Sequence, residues 1–253
     1  MIILSRKILD GLEVWYEAAQ SAGAILLIDK ELGWTSFDAV ARIRNALRLT
    51  KVGHAGTLDP LATGLLILCC GKATKRADEF QALPKQYRTN IKLGATTKTF
   101  DSEGDEENIK PLDGITSEHI MKVVESFVGD IEQVPPMYSA LKVNGQRLYK
   151  LARKGEKIAI GSRPVSIHSI TSIEVGLPFV NFDVSCSKGT YIRSLANDIG
   201  EKLGCGGYMH SLRRTKIGDF DVHDALKVAE TVTLIKDMKT AKLEKQNTEH
   251  IRE

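Results

Sequence analysis

The chain has 253 residues, 42% apolar and 26% charged, with 35 Lys and Arg against 32 Asp and Glu, a formal net charge of +3. This is an ordinary soluble composition, long enough for a substantial core in one large domain or two small ones. It excludes a membrane-spanning helix, because no apolar run approaches the roughly 18 residues one needs.

The four cysteines, Cys69, Cys70, Cys186 and Cys205, form no C-x-x-C pair and read as reduced core thiols. The six histidines lack paired ligand spacing, so neither a metal nor a cofactor is expected. The opening residues M-I-I-L-S-R-K are charged too soon for a signal peptide, which implies a cytoplasmic setting.

Residues 1–23 read as a short helical or extended arm. Gly23–Ile28 is an apolar run bounded by Asp29 and Lys30, which suits a buried strand. Thr35 with Asp38 three residues on makes a capping-box start, and Phe37, Val40, Ile43 and Leu47 follow at helical spacing. Arg42, Arg44 and Arg48 fall on the other face and serve either solvation or phosphate contact.

Val52 to Gly64 reads V-G-H-A-G-T-L-D-P-L-A-T-G and carries almost no helix or strand character. Gly53, Gly56 and Gly64 admit unusual backbone angles and Pro60 presets one more. So tight a loop fixes the direction of two reactive side chains, His54 and Asp59. An Asp-Pro step alone is more often a turn whose aspartate bonds its own backbone. Leu65–Cys70, closed by Gly71, then predicts a central strand, and Lys72–Gln81 a short helix.

From Lys85 the alternation of Tyr87, Thr89, Ile91 and Leu93 with Arg88, Asn90 and Lys92 predicts a half-buried strand. Asp101, Glu103, Asp105, Glu106 and Glu107 lack EF-hand spacing and read as a solvated acidic loop. Thr116 caps a helix carrying Ile120, Val123, Val124 and Phe127. After Pro135-Pro136, Asn144-Gly145 signals a turn and Gln146–Lys154 a helix. Between Lys142 and Arg163, Lys142, Arg147, Lys150, Arg153, Lys154, Lys157 and Arg163 face the single acid Glu156. That segment is the strongest polyanion footprint in the chain.

Val165–Glu174 and the alternating Val180, Phe182, Val184 and Cys186 predict two further strands. Ser187-Lys188-Gly189-Thr190 leads into a helix with an apolar stripe of Ile192, Leu195, Ala196, Ile199 and Leu203. Arg193 lies off that stripe in the first turn, where the helix already favours anions, so it points to a carboxylate or phosphate. Tyr208–Ile217 contains Ser211-Leu212-Arg213-Arg214, and a last helix is expected around Ala225–Leu226. Residues 238–253 turn polar and charged and predict a frayed tail.

Taken together, the G-H-x-G-x-L-D-P-x-A-x-G loop, the K-x-Y of Lys85–Tyr87, the P-P-x-Y-S-A-L-K segment and S-K-G-T-Y-I-R-S-L resemble the TruB family, the bacterial tRNA pseudouridine-55 synthases. The likeness spans roughly residues 24–220. One departure is Asp29-Lys30-Glu31-Leu32-Gly33, where the family reads D-K-P-x-G. The resemblance implies an α+β pseudouridine synthase fold, with a mixed, mainly antiparallel central sheet flanked by helices. It implies a catalytic domain over residues 24–237, a basic thumb insertion at about 135–163, and no C-terminal PUA domain.

It further implies isomerisation of a flipped-out uridine in the tRNA T stem-loop, by a monomer without guide RNA. Asp59 would be the nucleophile, Arg193 its ion-pair partner, and Tyr87 the group that removes the C5 proton. His54 would enter the vacated T-loop space while Tyr191 and Leu212 wall the pocket. Lys30, Lys85, Lys142 and Arg147 would contact substrate. A non-catalytic RNA-binding protein of the same fold, or a synthase for another RNA, are the rival readings.

Overall fold

The computed structural model describes residues 1–139, 141–143, 145–156 and 158–250, with the side chains of Lys142, Arg153 and 246–250 not described. Asn144 of the expected turn, Lys157 of the basic segment and the last three tail residues therefore lie outside the described residues. The chain divides into two compact units, Met1–Leu83 with Arg213–Glu253, and Pro84–Leu212. The fold is α+β with mixed, mainly antiparallel strand pairing. Among the described residues no helix is long and apolar enough to cross a membrane.

The first unit opens with β1 (Ile2–Leu4), α1 (Leu12–Gln20), β2 (Ala24–Lys30), α2 (Ser36–Leu47), β3 (Val52–His54), β4 (Ala62–Cys70) and α3 (Ala77–Ala82). β2 and β4 pair antiparallel from Ala24↔Cys70 to Lys30↔Gly64. Both are buried on two faces, which is why each reads as a continuous apolar run. Leu26, Ile28, Leu66, Leu68 and Cys70 enter one core cluster, while Ile25, Leu27, Leu65, Ile67 and Cys69 enter the other. Adjacent Cys69 and Cys70 thus point to opposite cores, and burial pushes their thiols up to about 11 and about 12.

The capping box at Thr35 is present, with Asp38 N–H donating to Thr35 Oγ1 and Thr35 N–H to Asp38 Oδ2. Val40, Ile43 and Leu47 are buried as the spacing predicts. Phe37 is not: it is 66% exposed, and Ser36 takes the inward place. The expected arm is built into this unit, since β1 pairs parallel with β2 and Leu4, Trp15 and Ala19 are buried. Residues 72–81 form a 3-10 segment, Gly71–Arg76, before α3, rather than one helix.

The second unit holds β5 (Lys85–Leu93), β6 (Thr96–Thr97), β7 (Glu106–Glu107), α4 (Ser117–Glu125), β8 (Gly129–Gln133), β9 (Lys142–Val143) and β10 (Gln146–Arg147). It continues through α5 (Leu148–Arg153), β11 (Arg163–Gly176), β12 (Phe179–Cys186) and α6 (Ile192–Lys202). Strands β5, β12, β11 and β8 are neighbours in that order, all antiparallel. In β5 the predicted alternation holds, with Tyr87, Thr89, Ile91 and Leu93 buried. The basic segment begins as a β9–β10 hairpin, so its helix starts at Leu148 rather than Gln146.

β13 (Gly207–Ile217) belongs to both units, its first six residues to the second and the rest to the first. The first unit then closes with β14 (Phe220–Asp221), β15 (Leu226–Lys227) and α7 (Val228–His250). Leu226 is not helical as expected; β15 pairs parallel with β2 through Leu226↔Ile28. The expected frayed tail continues α7 to His250. Lys239 Nζ donates to Ala46 O at 2.6 Å and Lys242 pairs with Glu17 at 2.8 Å, which ties this stretch to α2 and α1.

Candidate active site

In the first unit the loop between β3 and β4 is fixed at several points. β3 runs antiparallel to β4 through His54↔Leu68, and Ala55 N–H donates to Ile67 O. Ser36 Oγ accepts from Leu58 N–H at 2.8 Å and donates to Leu58 O at 3.1 Å. Asp59 O accepts from Ala62 N–H and Pro60 O from Gly33 N–H, closing the turn that presents the half-buried Asp59. Gly64 sits at φ +104, where an added Cβ would lie 2.2 Å from Arg214 O, so only glycine fits.

Two buried cations brace this loop. Lys30 is fully buried, and its Nζ donates to Trp34 O at 2.6 Å and Glu31 O at 3.0 Å and reaches Pro60 O of the loop at 3.5 Å. Burial pulls its pKa down to about 8, opposed by the charge of Asp59 and aided by that of Arg214. Lys30, expected to contact substrate, is thus enclosed behind the loop. Arg214, 1% exposed, donates from Nε to Leu65 O at 2.7 Å and from Nη2 to Gly56 O at 3.1 Å. Its neighbour Arg213 forks onto Asp29 at 2.9 and 3.0 Å. Both arginines are therefore engaged with groups of the first unit. Burial, then Arg214, pulls the pKa of His54 down, so its ring is neutral at pH 7.

The second unit holds the other predicted groups. Arg193 opens α6 and is 5% exposed. Its Nη1 lies 3.2 Å from both Thr99 O and Asp101 Oδ2, and its Nη2 donates to Tyr138 O at 2.9 Å. Asp101 is 1% exposed and also accepts from Thr99 Oγ1 at 2.6 Å and Glu103 N–H at 3.1 Å. It was expected in a solvated loop and is instead a buried anion for the arginine of α6. The available signal was Thr97-x-Thr99-x-Asp101, where both threonine hydroxyls fold back onto the aspartate.

Tyr87 lies on β5 opposite Val184, buried to 9% exposure. Tyr191 caps α6 and is held by Gln133, whose Oε1 accepts from Tyr191 N–H at 2.7 Å and whose Nε2 donates to Tyr191 O at 3.0 Å. Leu212 is half-buried on β13 and Lys85 is buried at the start of β5. Arg147 is exposed and lines a depression of about 450 Å³ with Gly145, Gln146, Lys150 and Lys154. The second unit alone thus gathers a buried guanidinium, a tyrosine and a cationic hairpin, and the first a braced aspartate and a neutral histidine.

Residues 44–192 match the family model of the TruB family pseudouridylate synthase N-terminal domain. Residues 193–252 match that of the tRNA pseudouridylate synthase B C-terminal domain. The tRNA pseudouridine synthase B of Clostridium kluyveri is 51% identical over 202 residues, covering 80% of this chain and 70% of the relative. That of Parabacteroides distasonis is 50% identical over 204 residues, covering 78% and 87%. Among solved structures, a chain of the archaeal box H/ACA sRNP Nop10-Cbf5 complex is 26% identical with a TM-score of 0.66, covering 92% of this chain and 59% of that one. A Cbf5-Nop10-Gar1 complex gives 33% identity and a TM-score of 0.61, covering 81% and 52%. The chain spans a little over half the length of those solved chains.

Proposed function

The chain belongs to the TruB family of pseudouridylate synthases, and from that premise we propose that it converts uridine-55 in the T loop of tRNA to pseudouridine. The reaction is an isomerisation. The bond from ribose C1′ to N1 of uracil breaks, the base turns, and C5 bonds to C1′. N1 gains a proton while C5 loses one to water. No redox step is involved. A base within folded RNA is out of reach, so the nucleotide is extruded first.

Asp59 is the nucleophile. The observation that carries this assignment is its loop, whose backbone is pinned by Ser36 at Leu58, by Arg214 at Gly56 and by Lys30 at Pro60, so that Asp59 is presented before substrate arrives. Asp59 acts on base or sugar, or aids glycal formation. Arg193 is the cation that balances and orients it, and a guanidinium suits that task because it remains charged. Tyr87 takes the C5 proton, with help from the bound state.

Neutral His54 fills the space that the extruded nucleotide leaves, and Tyr191 and Leu212 wall the pocket. Arg147, with Lys142 and the hairpin lysines, contacts RNA phosphates. Lys85 contributes a further positive charge to the same end. The protein works as a cytoplasmic monomer on tRNA without a guide RNA. No observation favours the non-catalytic reading.

Tritium release from C5-tritiated uridine in an unmodified tRNA transcript tests the proposal. Wild type releases tritium and Asp59→Asn does not. Equal release by both proteins would make Asp59 an ordinary turn residue, and release by neither would leave only RNA binding.

A further inference from the structure

Phe37 occupies a place that its helix periodicity assigns to the core, yet it is 66% exposed. A single exposed aromatic needs no explanation. Its company does. Seven residues on an α-helix advance the side chain by about two turns, so Arg44 lies in line with Phe37, while Arg48 is the left-handed residue that ends the helix, at φ +56. The buried residues Ala39, Val40, Ile43 and Leu47 form the adjoining face, so this stripe borders the core, with Phe37 and Arg48 exposed and Arg44 half-buried.

Among the described residues Arg44, Arg48 and the exposed Lys51 just beyond them make no ion pair. Other cations of the same unit do, as Arg6 with Glu230 and Arg213 with Asp29. The helix rises about 10 Å from Phe37 to Arg44, and Arg48 and Lys51 lie just past its end, a span long enough for a few nucleotides. It begins at the candidate loop itself, because Ser36, next to Phe37, bonds both backbone groups of Leu58, the residue before Asp59. An exposed aromatic followed by cations that make no ion pair is the chemistry that binds unpaired nucleotides, by stacking and by phosphate contact.

We propose that the outer ridge of α2 is a second RNA-contact surface, with Phe37 stacking on an unpaired base of the substrate tRNA and Arg44, Arg48 and Lys51 taking the neighbouring phosphates. The ridge adds grip beside the loop and takes no part in bond breaking. The inference rests on the reading that this chain modifies tRNA.

Two variants test it, Phe37→Ala and the double substitution Arg44→Gln with Arg48→Gln. Single-turnover tritium release from an unmodified tRNA transcript at increasing enzyme concentration separates half-saturation from the limiting rate. Phe37→Ala is expected to raise the half-saturating concentration about tenfold, the limiting rate and the melting temperature staying as in wild type. The double variant is expected to lower the slope of log affinity against log salt by about 1.5, two phosphate contacts' share. Wild-type half-saturation and salt slope in both variants would overturn the proposal, as would an arginine effect without a phenylalanine effect. Gel-shift binding of the same transcript keeps the two readings apart: a wild type that binds but releases no tritium refutes the function, while the ridge is still judged on binding.

Discussion

The Nη1 of Arg193 lies 3.2 Å from Oδ2 of Asp101, and the two side chains are only 6% and 2% exposed. Ninety-two residues separate them in the chain. A guanidinium out of water needs an anion and carbonyl acceptors, and Asp101, Thr99 O and Tyr138 O supply both. Removing the aspartate leaves a buried cation with one fewer counter-charge. Asp101→Ala is expected to cost about 3–5 kcal/mol in urea unfolding. Asp101→Asn keeps the shape and loses the charge, so it should fold more stably than the alanine variant yet turn over at least tenfold more slowly than wild type. Wild-type turnover in Asp101→Asn would reduce the pair to a packing contact.

The loop that carries Asp59 depends on Gly64 in a way that Gly33 does not share. Both have positive φ, +104 and +80, but a Cβ at Gly64 meets Arg214 O at 2.2 Å while one at Gly33 meets nothing within 4 Å. Gly33→Ala therefore carries only the backbone penalty of about 1 kcal/mol. Gly64→Ala must also push β4 and the backbone of Arg214 apart, for an expected loss of more than about 2 kcal/mol. Thermal unfolding of the two variants side by side measures the difference.

The elements with one clear period were readable in advance. β2, β4, β5, β12, α2 and α6 each carry a pattern that a single rule explains, and Thr35 with Asp38 announced its capping box. β13 was not readable, because Arg213 and Arg214 interrupt its apolar alternation and are spent on Asp29 and on loop carbonyls. Asp101 was misread because Glu103 and Asp105 to Glu107 set the tone of its neighbourhood, whereas its ion-pair partner, Arg193, lies far along the chain. Phe37 fits the helical spacing, but Ser36 outbids it for the interior by bonding the Leu58 backbone. Tertiary contacts decided each of these positions, and local pattern cannot carry them.

Asp29 makes a pH-dependent contribution to the first unit. Burial works to raise its pKa, but hydrogen bonds and charge from Arg213 and Lys227 outweigh it and hold the carboxyl below its ordinary 3.8. A depressed carboxylate stabilises the fold above the unfolded-state value, and that stability is lost as pH falls through the native one. Asp29→Asn is expected to cost about 1–3 kcal/mol between pH 5 and 7. The gap to wild type should close below about pH 3.8. A constant gap down to pH 2 would show that the asparagine acts by shape alone.

Lys30 should give opposite trends in stability and turnover over one pH range. Its native pKa is about 8 against an ordinary 10.5, since burial disfavours the charge. Between those values the native state has released the proton and the unfolded chain still holds it, so stability rises with pH through the window, by at most about 3 kcal/mol. The same deprotonation removes the cation that opposes the charge of Asp59, so single-turnover tritium release should fall above pH 8. Other lysines, tyrosines and the thiols also titrate there, which makes the difference between wild type and Lys30→Met the useful quantity. In that difference the rate loss should have its midpoint near pH 8, the pH at which the stability gain sets in, and the gain should level off above about 10.5. A rate loss of equal size in Lys30→Met would assign the alkaline limb to another group.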